Sequence, residues 1–466
     1  MQREVSPASV VGTATRPKSV SSARGPPAPA PRPAFNPVGL ALKKLTLAGV
    51  LFVVVFFACA LWLFGSLLRL PHSRPVPPYE NSHHVHNLGV VVVDFDGGSV
   101  GNALLGAVNA VNGQDSLPTF HILAANSTSR DEVLHKVWQG RYWGSIIATE
   151  GASSRFEAAV ASADAASTYD AAQALEYSGL EVRYTTAWSG AVLPALLQVS
   201  QTASARFSAA VVAPLLESGT SYSAASAQVL VRPVAATFVN QTPFTYGTRI
   251  VLNTIAFVLP FLLQFFFLLA WNNIFLGIGV YRNMSFARHL KYRLAISLAW
   301  TLLTSLMSTT WGVMFDEGYD LAAKQFFALW TVHWVFSMIT FDTLDIVTTW
   351  VPLPFVSYFV VSLIVTSVSA IIWPYELSNA FYRIHVIFPS HAAWSIIMTI
   401  LGRGAVNTLS RDAPILAAWL VVLKAGVLLS LRRRARQGLV LVDVEDKAPT
   451  GGQGGAPQGQ LAVEKV

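Results

Sequence analysis

The run LTLAGVLFVVVFFACALWLFGSLL occupies residues 45–68 and contains no charged side chain. At a rise of about 1.5 Å per residue, a helix of about 24 residues reaches roughly 36 Å, enough to cross a hydrocarbon core of about 30 Å. Lys43 and Lys44 come directly before the run, and basic residues favour the cytosolic side of a membrane. We therefore predict a transmembrane helix over residues 43–68 with its N-terminal end in the cytosol.

The segment before this helix has the composition of a disordered tail. Residues 1–42 are rich in Pro, Ala, Ser and Arg, and Phe35 is their only bulky aromatic residue. Such a segment buries too little apolar surface to offset its ordering entropy. The apolar run that follows begins too far into the chain, and is too long, for a signal peptide. We predict a disordered cytosolic tail over residues 1–42.

The whole chain is 53% hydrophobic and only 12% charged, against about 25% charged residues in soluble domains. The formal net charge is +7. The basic residues stand at the edges of apolar runs, which is typical of membrane topology rather than of a nucleic-acid groove. A single cysteine, Cys59, lies inside an apolar run, which excludes an internal disulfide and a cysteine-based zinc site. We predict no nucleic-acid partner.

Residues 69–248 have the composition of a soluble domain. The segment LGVVVVDFD, residues 88–96, is apolar and β-branched and ends at Gly97-Gly98, as expected of a buried strand. Strand and helix patterns then alternate, which predicts an α/β domain with a largely parallel sheet. Further predicted strands cover residues 120–124, 142–149 and 181–185, and predicted helices cover residues 101–111, 154–175 and 192–216.

The C-terminal half returns to a lipid-like composition, which predicts a five-span membrane domain over residues 249–431. With the first helix this makes an α-helical polytopic membrane protein of six spans, arranged 1+5, with the α/β domain inserted between spans one and two. The five predicted spans are residues 250–281, 294–315, 326–341, 355–373 and 415–431.

A further apolar stretch, residues 384–401, is short and contains His385, Pro389 and His391. Counting it as a span would place the arginines of residues 432–436 outside the cytosol, against the positive-inside rule. We therefore predict a re-entrant or interfacial segment, whose backbone must be covered by protein or water.

This topology makes the α/β domain extracytosolic and places both termini in the cytosol, with residues 432–466 as a second disordered tail. The sequons at Asn126 and Asn240 are then candidate N-glycosylation sites, whereas the sequon at Asn283 falls in a cytosolic loop. We expect the plasma membrane or another membrane of the secretory pathway.

Motifs that hold nucleotides or catalytic metals are absent from the sequence, which contains no GxxxxGK[ST], no GxGxxG after a strand and no HExxH. Gly97-Gly98 lies at the carboxyl end of a predicted strand, where α/β sheets often bind ligands, but a plain turn is the simpler interpretation. His83, His84 and His86 lack an acidic or cysteine partner at metal-ligand spacing, so we interpret them as part of a linker. We predict no catalytic residue, no cofactor, no metal and no enzymatic activity.

Charged side chains inside apolar runs are costly in a membrane and are functional candidates by default. Asp342 lies at the cytosolic end of the predicted fourth span, and Lys424 lies at a similar depth in the sixth. They form a candidate intramembrane polar pair. In the alternative, Lys424 extends its stem towards the arginines of residues 432–436 while Asp342 stays hydrated. Asn272, deep in the second span, could hydrogen-bond to another helix, and helix packing is the simpler interpretation.

The predicted outer loop before the last span supplies a second set of candidate residues. In one interpretation their polar side chains line an entrance, and in the other they are simply solvated. These residues are Glu376, Arg383, His385, His391 and Arg403.

Five segments in this order resemble the fungal nitrosoguanidine-resistance family: LGVVVVDFD (88–96), YWGSIIAT (142–149), VRPVAATFVNQTPFTYG (231–247), WNNIF (271–275) and FPSHAAWSIIMTILGRG (388–404). The membrane region of that family is similar to those of ABC-2-type exporters and bacterial phage-infection proteins. The resemblance extends over residues 45–435 and implies a membrane protein linked to tolerance of toxic compounds. It supplies no catalytic residues. Residues 388–404 depart from the family, whose members are more polar there.

Two functions compete. The first is an exporter-like protein that acts in drug or lipid export, and the second is a non-transporting scaffold or regulator whose outer domain binds a partner. The expected partners are the lipid bilayer, a second copy of the chain and, because no nucleotide motif is present, a protein that supplies energy. An exporter should show a continuous polar path between its spans, whereas a scaffold should show a sealed apolar bundle.

Overall fold

The structure is a computed structural model that describes residues 84–242, 252–280, 284–314, 321–378 and 380–445, together with Val50 and Val54. The predicted tail at residues 1–42 lies outside the described residues. So do the predicted first span, apart from those two valines, and most of the predicted tail at residues 432–466. His83 and the sequon at Asn283 also lie outside them.

A five-stranded sheet forms the centre of the α/β domain. Its strands are β1 (Gly89–Asp94), β2 (Thr119–Leu123), β3 (Gly144–Ala148), β4 (Leu175–Gly179) and β5 (Ala236–Asn240), in the spatial order β2-β1-β3-β4-β5. β1 pairs in parallel with both β2 and β3, and its four consecutive valines are fully buried. A continuous apolar run is what a central parallel strand covered on both faces requires. The structure has strands at each of the first three predicted positions.

The second half of the sheet differs from the prediction. β4 runs antiparallel to β3 and parallel to β5, so the sheet is mixed rather than largely parallel. The predicted strand at residues 181–185 is wrong, because β4 ends at Gly179, where the ring of Trp188 packs so closely that no Cβ would fit. Residues after it turn away, and Val182 is buried there outside the sheet. The predicted helix over residues 154–175 is also too long, since Leu175 begins β4.

Helices pack around this sheet, and their apolar faces complete its core. α1 (Ser99–Val111) packs along α4 (Leu193–Phe207) and buries Leu104, Ala107 and Val108 completely. α4 is the middle of a longer helical run that begins at Thr185 and includes two π-helical turns, Trp188–Val192 and Ser208–Val212. The main helices of the domain are α1 (Ser99–Val111), α2 (Arg130–Trp138), α3 (Ala152–Ala161), α4 (Leu193–Phe207) and α5 (Ala224–Val231), with shorter helices at Ala163–Thr168 and Ala213–Glu217.

Six helices form the second part of the described chain: α6 (Leu252–Gly277), α7 (Phe286–Met314), α8 (Ala323–Trp350), α9 (Leu353–Ile372), α10 (Pro389–Leu401) and α11 (Leu409–Glu445). α8 is the central helix, since it packs against α6, α7, α10 and α11. The polar positions of α8 face these neighbours: Asp342 and Asp345 are both almost fully buried.

Four helices among the described residues are long and apolar enough to cross a membrane: Leu252–Gly277, Phe286–Met314, Phe355–Ile372 and Leu409–Arg436. They correspond to four of the six predicted spans. α8 has 28 residues and is therefore long enough, and it carries a buried histidine, His333, and two buried aspartates. The chain is thus mostly helical, with four candidate membrane-spanning helices and a small α/β sheet region.

The last two helices bear on the predicted end of the membrane domain. α10 has 13 residues and reaches only about 20 Å, too short to cross a bilayer, and almost every residue in it is buried against neighbouring helices. α11 continues to Glu445, so the predicted disordered tail beginning at residue 432 is wrong for residues 432–445. Arginine is a good helix former, and Arg434 is anchored to α8, which favours continuation of the helix.

Candidate functional site

The structure brings Asp342 and Lys424 together across the contact between α8 and α11. The Lys424 Nζ donates a hydrogen bond to Asp342 Oδ1 at 3.0 Å and lies 2.9 Å from Oδ2. Asp342 is 2% exposed, whereas 37% of the Lys424 side chain remains exposed. The ammonium group therefore bonds to the carboxylate while the lysine stem stays partly on the surface of the bundle.

A second charged cluster centres on Asp345, one turn further along α8. Arg293 of α7 donates from Nε to Asp345 Oδ2 at 2.8 Å and from Nη2 to Oδ1. Arg434 of α11 donates from Nη2 to the same Oδ1 at 3.0 Å and from Nη1 to Asn272 Oδ1 of α6 at 2.6 Å. We call Asp345, Arg293, Arg434 and Asn272 the Asp345 cluster. Its hydrogen bonds join four helices, because the Asp345 carboxylate bonds to both arginines and Asn272 accepts from them.

Sequence interpretation missed this cluster, although each member was visible. Arg293 and Arg434 belong to basic stretches that indicate membrane topology, and Asn272 was interpreted as a packing residue. Asn272 does join helices: its Nδ2 donates to Thr348 Oγ1 of α8 at 3.3 Å. The available signal was Asp345 itself, because a carboxylate in an apolar helix needs a cationic partner nearby.

A line of hydroxyl groups runs along the face of α7 that meets α6 and α8. Each hydroxyl donates to a carbonyl of its own helix, so the line carries no unmet donors. Side chains of the neighbouring helices bond to it: Gln264 Nε2 lies 3.0 Å from Thr304 Oγ1, and His333 Nδ1 lies 2.8 Å from Thr309 Oγ1. This polar seam consists of Ser297, Thr301, Thr304, Ser305, Ser308 and Thr309, all buried.

The polar seam is closed rather than open to water. It ends near a cavity of about 20 Å³ that is lined by Thr309, His333 and Trp394 among apolar residues, which is room for about one water molecule. His333 Nε2 and Trp394 Nε1 are buried without a hydrogen-bond partner among the described residues. The described helices therefore contain polar groups along their contacts, with room for about one water molecule beside Thr309 and His333.

The α/β domain docks on the segment between α9 and α11, and we call this contact the joint. Arg183 donates from Nη2 to Glu376 Oε1 at 3.2 Å and stacks its guanidinium 3.7 Å from the centre of the Trp143 ring. Asn87 Nδ2 donates to the Glu376 carbonyl at 3.0 Å. Thr186 Oγ1 donates to the Ile372 carbonyl at 2.8 Å. Both main chain and side chains thus fix the domain to the membrane helices.

Close backbone packing completes the joint. The Val406 N–H donates to the Trp138 carbonyl at 3.0 Å, and Gly140 approaches Val406 so closely that a Cβ would lie 2.9 Å from its side chain. Gly140 also has a φ of +78°, which favours glycine. These contacts require α2 and residues 402–408 to keep one relative position.

A cavity of about 150 Å³ lies inside the joint. From the α/β domain it is lined by Arg183 and Tyr184, and from the other side by residues including Glu376, His391 and Arg411. Burial lowers the pKa of Arg183 below its usual value, and Glu376 opposes that effect. The negative charge of Glu376, followed by burial, raises the pKa of Tyr375, so this phenol keeps its proton at neutral pH.

Two of the five predicted loop residues, Glu376 and His391, meet at this joint cavity. The other three lie elsewhere. Arg383 is exposed, His385 is buried between Tyr382 and Phe388 rather than beside the cavity, and Arg403 is exposed with a φ of +52°. Fewer loop residues therefore line the cavity than the sequence predicted. Arg183 and Arg411 also line it, and the sequence interpretation did not include them.

The segment GGSVG, residues 97–101, matches the GxSxG pattern of hydrolase nucleophiles and follows a strand, a match that the sequence interpretation overlooked. In the structure, Ser99 begins α1 and its Oγ bonds to Ser153 Oγ at 3.1 Å rather than to a histidine. Asp96 accepts hydrogen bonds from the Gly98, Gly101 and Ser153 N–H groups. A carboxylate of the chain thus fills the place where a phosphate or oxyanion would bind, and the segment is a structural turn.

The electrostatics of this turn follow from its hydrogen bonds. Burial by itself raises the pKa of Asp96, but the hydrogen bonds from Ser153, Gly101 and Gly98 outweigh it and lower the pKa below its usual value of 3.8. Asp96 therefore stays ionised and caps the N-termini of α1 and α3 together.

Two further predicted sites concern modification and metals. Asn126 is exposed, whereas Asn240 is half-buried at the end of β5 and accepts a hydrogen bond from the Thr242 N–H at 3.1 Å. No group of three or more histidine, cysteine, aspartate or glutamate side chains that could hold a metal occurs within the described residues.

The fold and these buried charges define the class: a mostly helical membrane protein whose small α/β domain is fixed to its helix bundle. The chain belongs to DUF3533, a protein family of unknown function, which it matches over residues 48–425. Comparison with curated proteins and with solved structures finds no match.

Proposed function

We propose that this chain is a six-span membrane protein of the plasma membrane or another secretory-pathway membrane that takes part in exporting toxic compounds or lipids. The observation that carries the proposal is the set of charged side chains between its helices. Asp342, Lys424 and the Asp345 cluster place five charged groups in or beside apolar segments. A charged side chain is costly there and is a functional candidate by default.

The arrangement of these charges fits movement between helices better than static packing alone. Asp342 and Asp345 lie on one helix, α8, but bond to different partners, and both sets of partners include α11. A shift of α11 relative to α8 would therefore alter both ion pairs at the same time. Packed interfaces with two discrete arrangements are the usual basis of such transitions.

The resemblance to the nitrosoguanidine-resistance family and to exporter membrane regions supports the same proposal. Because the sequence has no GxxxxGK[ST] loop, we propose that energy comes from a partner protein or an ion gradient. The proposed topology makes the α/β domain extracytosolic, so the joint cavity faces the compartment that receives the exported compound.

A retention experiment tests the proposal. Cells that lack the protein are complemented with wild type, with the double variant Asp342→Asn/Lys424→Met, or with the control Lys324→Met, which removes an exposed charge near the start of the same helix. Retention of a panel of labelled toxic compounds and fluorescent lipids is then measured. We expect wild type and the control to lower retention of at least one compound and the double variant to lose that effect.

Two results would count against export. If wild type leaves retention of the whole panel unchanged, the proposed function is wrong. If the double variant lowers retention as well as wild type does, the charge pair takes no part in it. Surface expression of each variant, measured by labelling, separates loss of activity from loss of protein.

A scaffold or regulator is the second candidate, and the closed polar seam favours it. The cavity within the seam is only about 20 Å³, far below the roughly 300–1,000 Å³ of sites for drug-sized ligands. Extraction in mild detergent followed by co-purification tests this candidate. A stoichiometric partner together with unchanged retention would support it, and transport by the purified chain alone in liposomes would exclude it.

A further inference from the structure

The joint cavity carries no net charge from the groups around it. Arg183 is paired with Glu376, and Arg411 is paired with its neighbour Asp412 through two hydrogen bonds of 2.7 and 3.1 Å. Two guanidinium groups thus face two carboxylates. A charged ligand entering this space would lose hydration without a free counter-charge to replace it, so the cavity favours an uncharged ligand.

Two hydrogen-bond acceptors at the cavity remain unused. Glu376 bonds Arg183 through Oε1 only, and its Oε2 has no hydrogen-bond partner among the described residues. His391 Nδ1 lies 3.2 Å from the Ala370 carbonyl. Since a carbonyl can only accept, the proton resides on Nδ1, and Nε2 presents a lone pair. This ring nitrogen also has no partner within the part of the chain that the structure describes.

Hydrogen-bond donors also remain at the cavity. Thr408 Oγ1 is buried without a partner among the described residues. Arg411 uses Nε and Nη2 for Asp412, which leaves its Nη1 available. The rest of the lining is apolar, including Val182, Met398 and Ala405. A fitting ligand therefore needs an N–H donor, a carbonyl-type acceptor and an apolar body.

We propose that the joint cavity binds a small, uncharged carboxamide: its NH₂ group donates to Glu376 Oε2 and His391 Nε2, and its carbonyl accepts from Thr408 or Arg411. The volume of about 150 Å³ equals that of about five water molecules at about 30 Å³ each, which suits a single-ring compound rather than a drug-sized one. Because the wall combines the α/β domain with α10 and α11, the bound ligand contacts both sides of the joint.

This site is separate from the Asp342–Lys424 pair and the Asp345 cluster on which the proposed function rests. Ligand binding is measured without any transport step. A negative binding result therefore leaves the export proposal standing, and a negative retention result leaves this site standing.

The experiment uses the purified full-length chain in lipid nanodiscs and four probes of nearly equal shape. 4-Fluorobenzamide carries the full donor–acceptor pattern, 4-fluorobenzoate is its anion analogue, 4-fluorobenzamidinium is its cation analogue, and 4-fluoroacetophenone lacks the N–H donor. Binding is followed by the ¹⁹F NMR signal. We expect 4-fluorobenzamide to bind at about 1 mM and each of the other three to bind at least about tenfold more weakly, since each leaves polar groups of the site unpaired.

Two variants locate the binding site. Ser395→Phe places a ring in the cavity lined by Ser395 and should abolish binding of 4-fluorobenzamide. Glu376→Gln keeps the shape but replaces a charged acceptor and should weaken binding about tenfold or more. Gly190→Ala, at a glycine of the α/β domain with open space around it and no positive φ, is the matched control and should bind as wild type does.

Three results would overturn the proposal. Equal binding of all four probes would show that the donor–acceptor pattern is not recognised. Binding unaffected in both site variants would place the probe elsewhere, including in the lipid. Absence of 4-fluorobenzamide binding to folded wild type at about 1 mM, with folding shown by the thermal transition of the same sample, would show that the cavity takes no such ligand.

Discussion

The Asp345 cluster allows one stability prediction to be worked out in detail. Asp345 is 1% exposed and its carboxylate bonds to both Arg293 and Arg434. Asp345→Asn keeps the shape of the side chain and removes its charge, which leaves two buried guanidinium groups facing an amide. Removing one partner of a buried ion pair costs about 3–5 kcal/mol. We expect a loss of that size in the free energy of unfolding.

A second variant separates charge balance from simple loss of contacts. Arg434→Met leaves Arg293 and Asp345 as a one-to-one pair but removes five hydrogen bonds of Arg434, so at about 0.5–1 kcal/mol each it should cost about 2.5–5 kcal/mol by itself. In the double variant Asp345→Asn/Arg434→Met the carboxylate and one of its two cationic partners are lost together, so one guanidinium group instead of two faces the amide. The two changes should therefore be non-additive, with a coupling energy of about 1–3 kcal/mol.

Denaturant unfolding in detergent, followed by tryptophan fluorescence, measures these free energies. Asp131→Asn is the control, because 92% of the Asp131 side chain is exposed, and it should change stability by no more than about 0.5 kcal/mol. The reasoning is refuted if Asp345→Asn falls within about 1 kcal/mol of this control, or if the two cluster variants are strictly additive.

Three further predictions concern the α/β domain and the joint. Asn126→Gln should remove one enzymatically cleavable glycan from the protein, seen as a shift in electrophoretic mobility, because Asn126 is an exposed sequon; an unshifted band would contradict the extracytosolic topology. Asp96→Ala removes the cap of two helices and should cost about 2 kcal/mol. Because the pKa of Asp96 is lowered in the folded state, the stabilisation by Asp96 is present above the usual value of 3.8 and is lost as the pH falls below it. The stabilities of wild type and variant should therefore converge in acid unfolding curves. Gly140→Ala should destabilise the protein by about 1–3 kcal/mol in thermal unfolding, which is more than Gly113→Ala should. Both glycines have positive φ, but only at Gly140 would the added Cβ lie within 3.0 Å of a neighbour, Val406.

Local patterns predicted the elements whose environment is uniform along the chain. The buried run of β1 and the helix of residues 192–216 needed only apolar composition and periodicity, because each is covered in the same way throughout its length. β4 and β5 were misplaced or missed. Their residues alternate less clearly, and their positions depend on Trp188 packing against Gly179, which no local pattern indicates.

The candidate sites also include contacts that the sequence suggested and contacts that only the fold creates. Asp342 and Lys424 were a candidate pair from the sequence because both are charges in apolar runs at a similar depth, with extension of the Lys424 stem towards the arginines of residues 432–436 as the alternative. Arg293 and Asp345 are separated by 52 residues, Arg434 and Asp345 by 89, and Arg183 and Glu376 by 193. Basic residues near helix ends have several possible partners, and only the packing of the helices selects one.

The amino-acid sequence by itself determined which segments are apolar enough for lipid, where a soluble domain interrupts them and which buried carboxylates require cations, since these depend on composition along the chain. Tertiary structure decided that the Asp345 cluster joins four helices, and that the α/β domain and the loop before α11 enclose a cavity of neutral overall charge. The physical reason is that a hydrogen bond or ion pair requires atoms to lie about 3 Å apart, and the fold alone sets such distances between residues far apart in the chain.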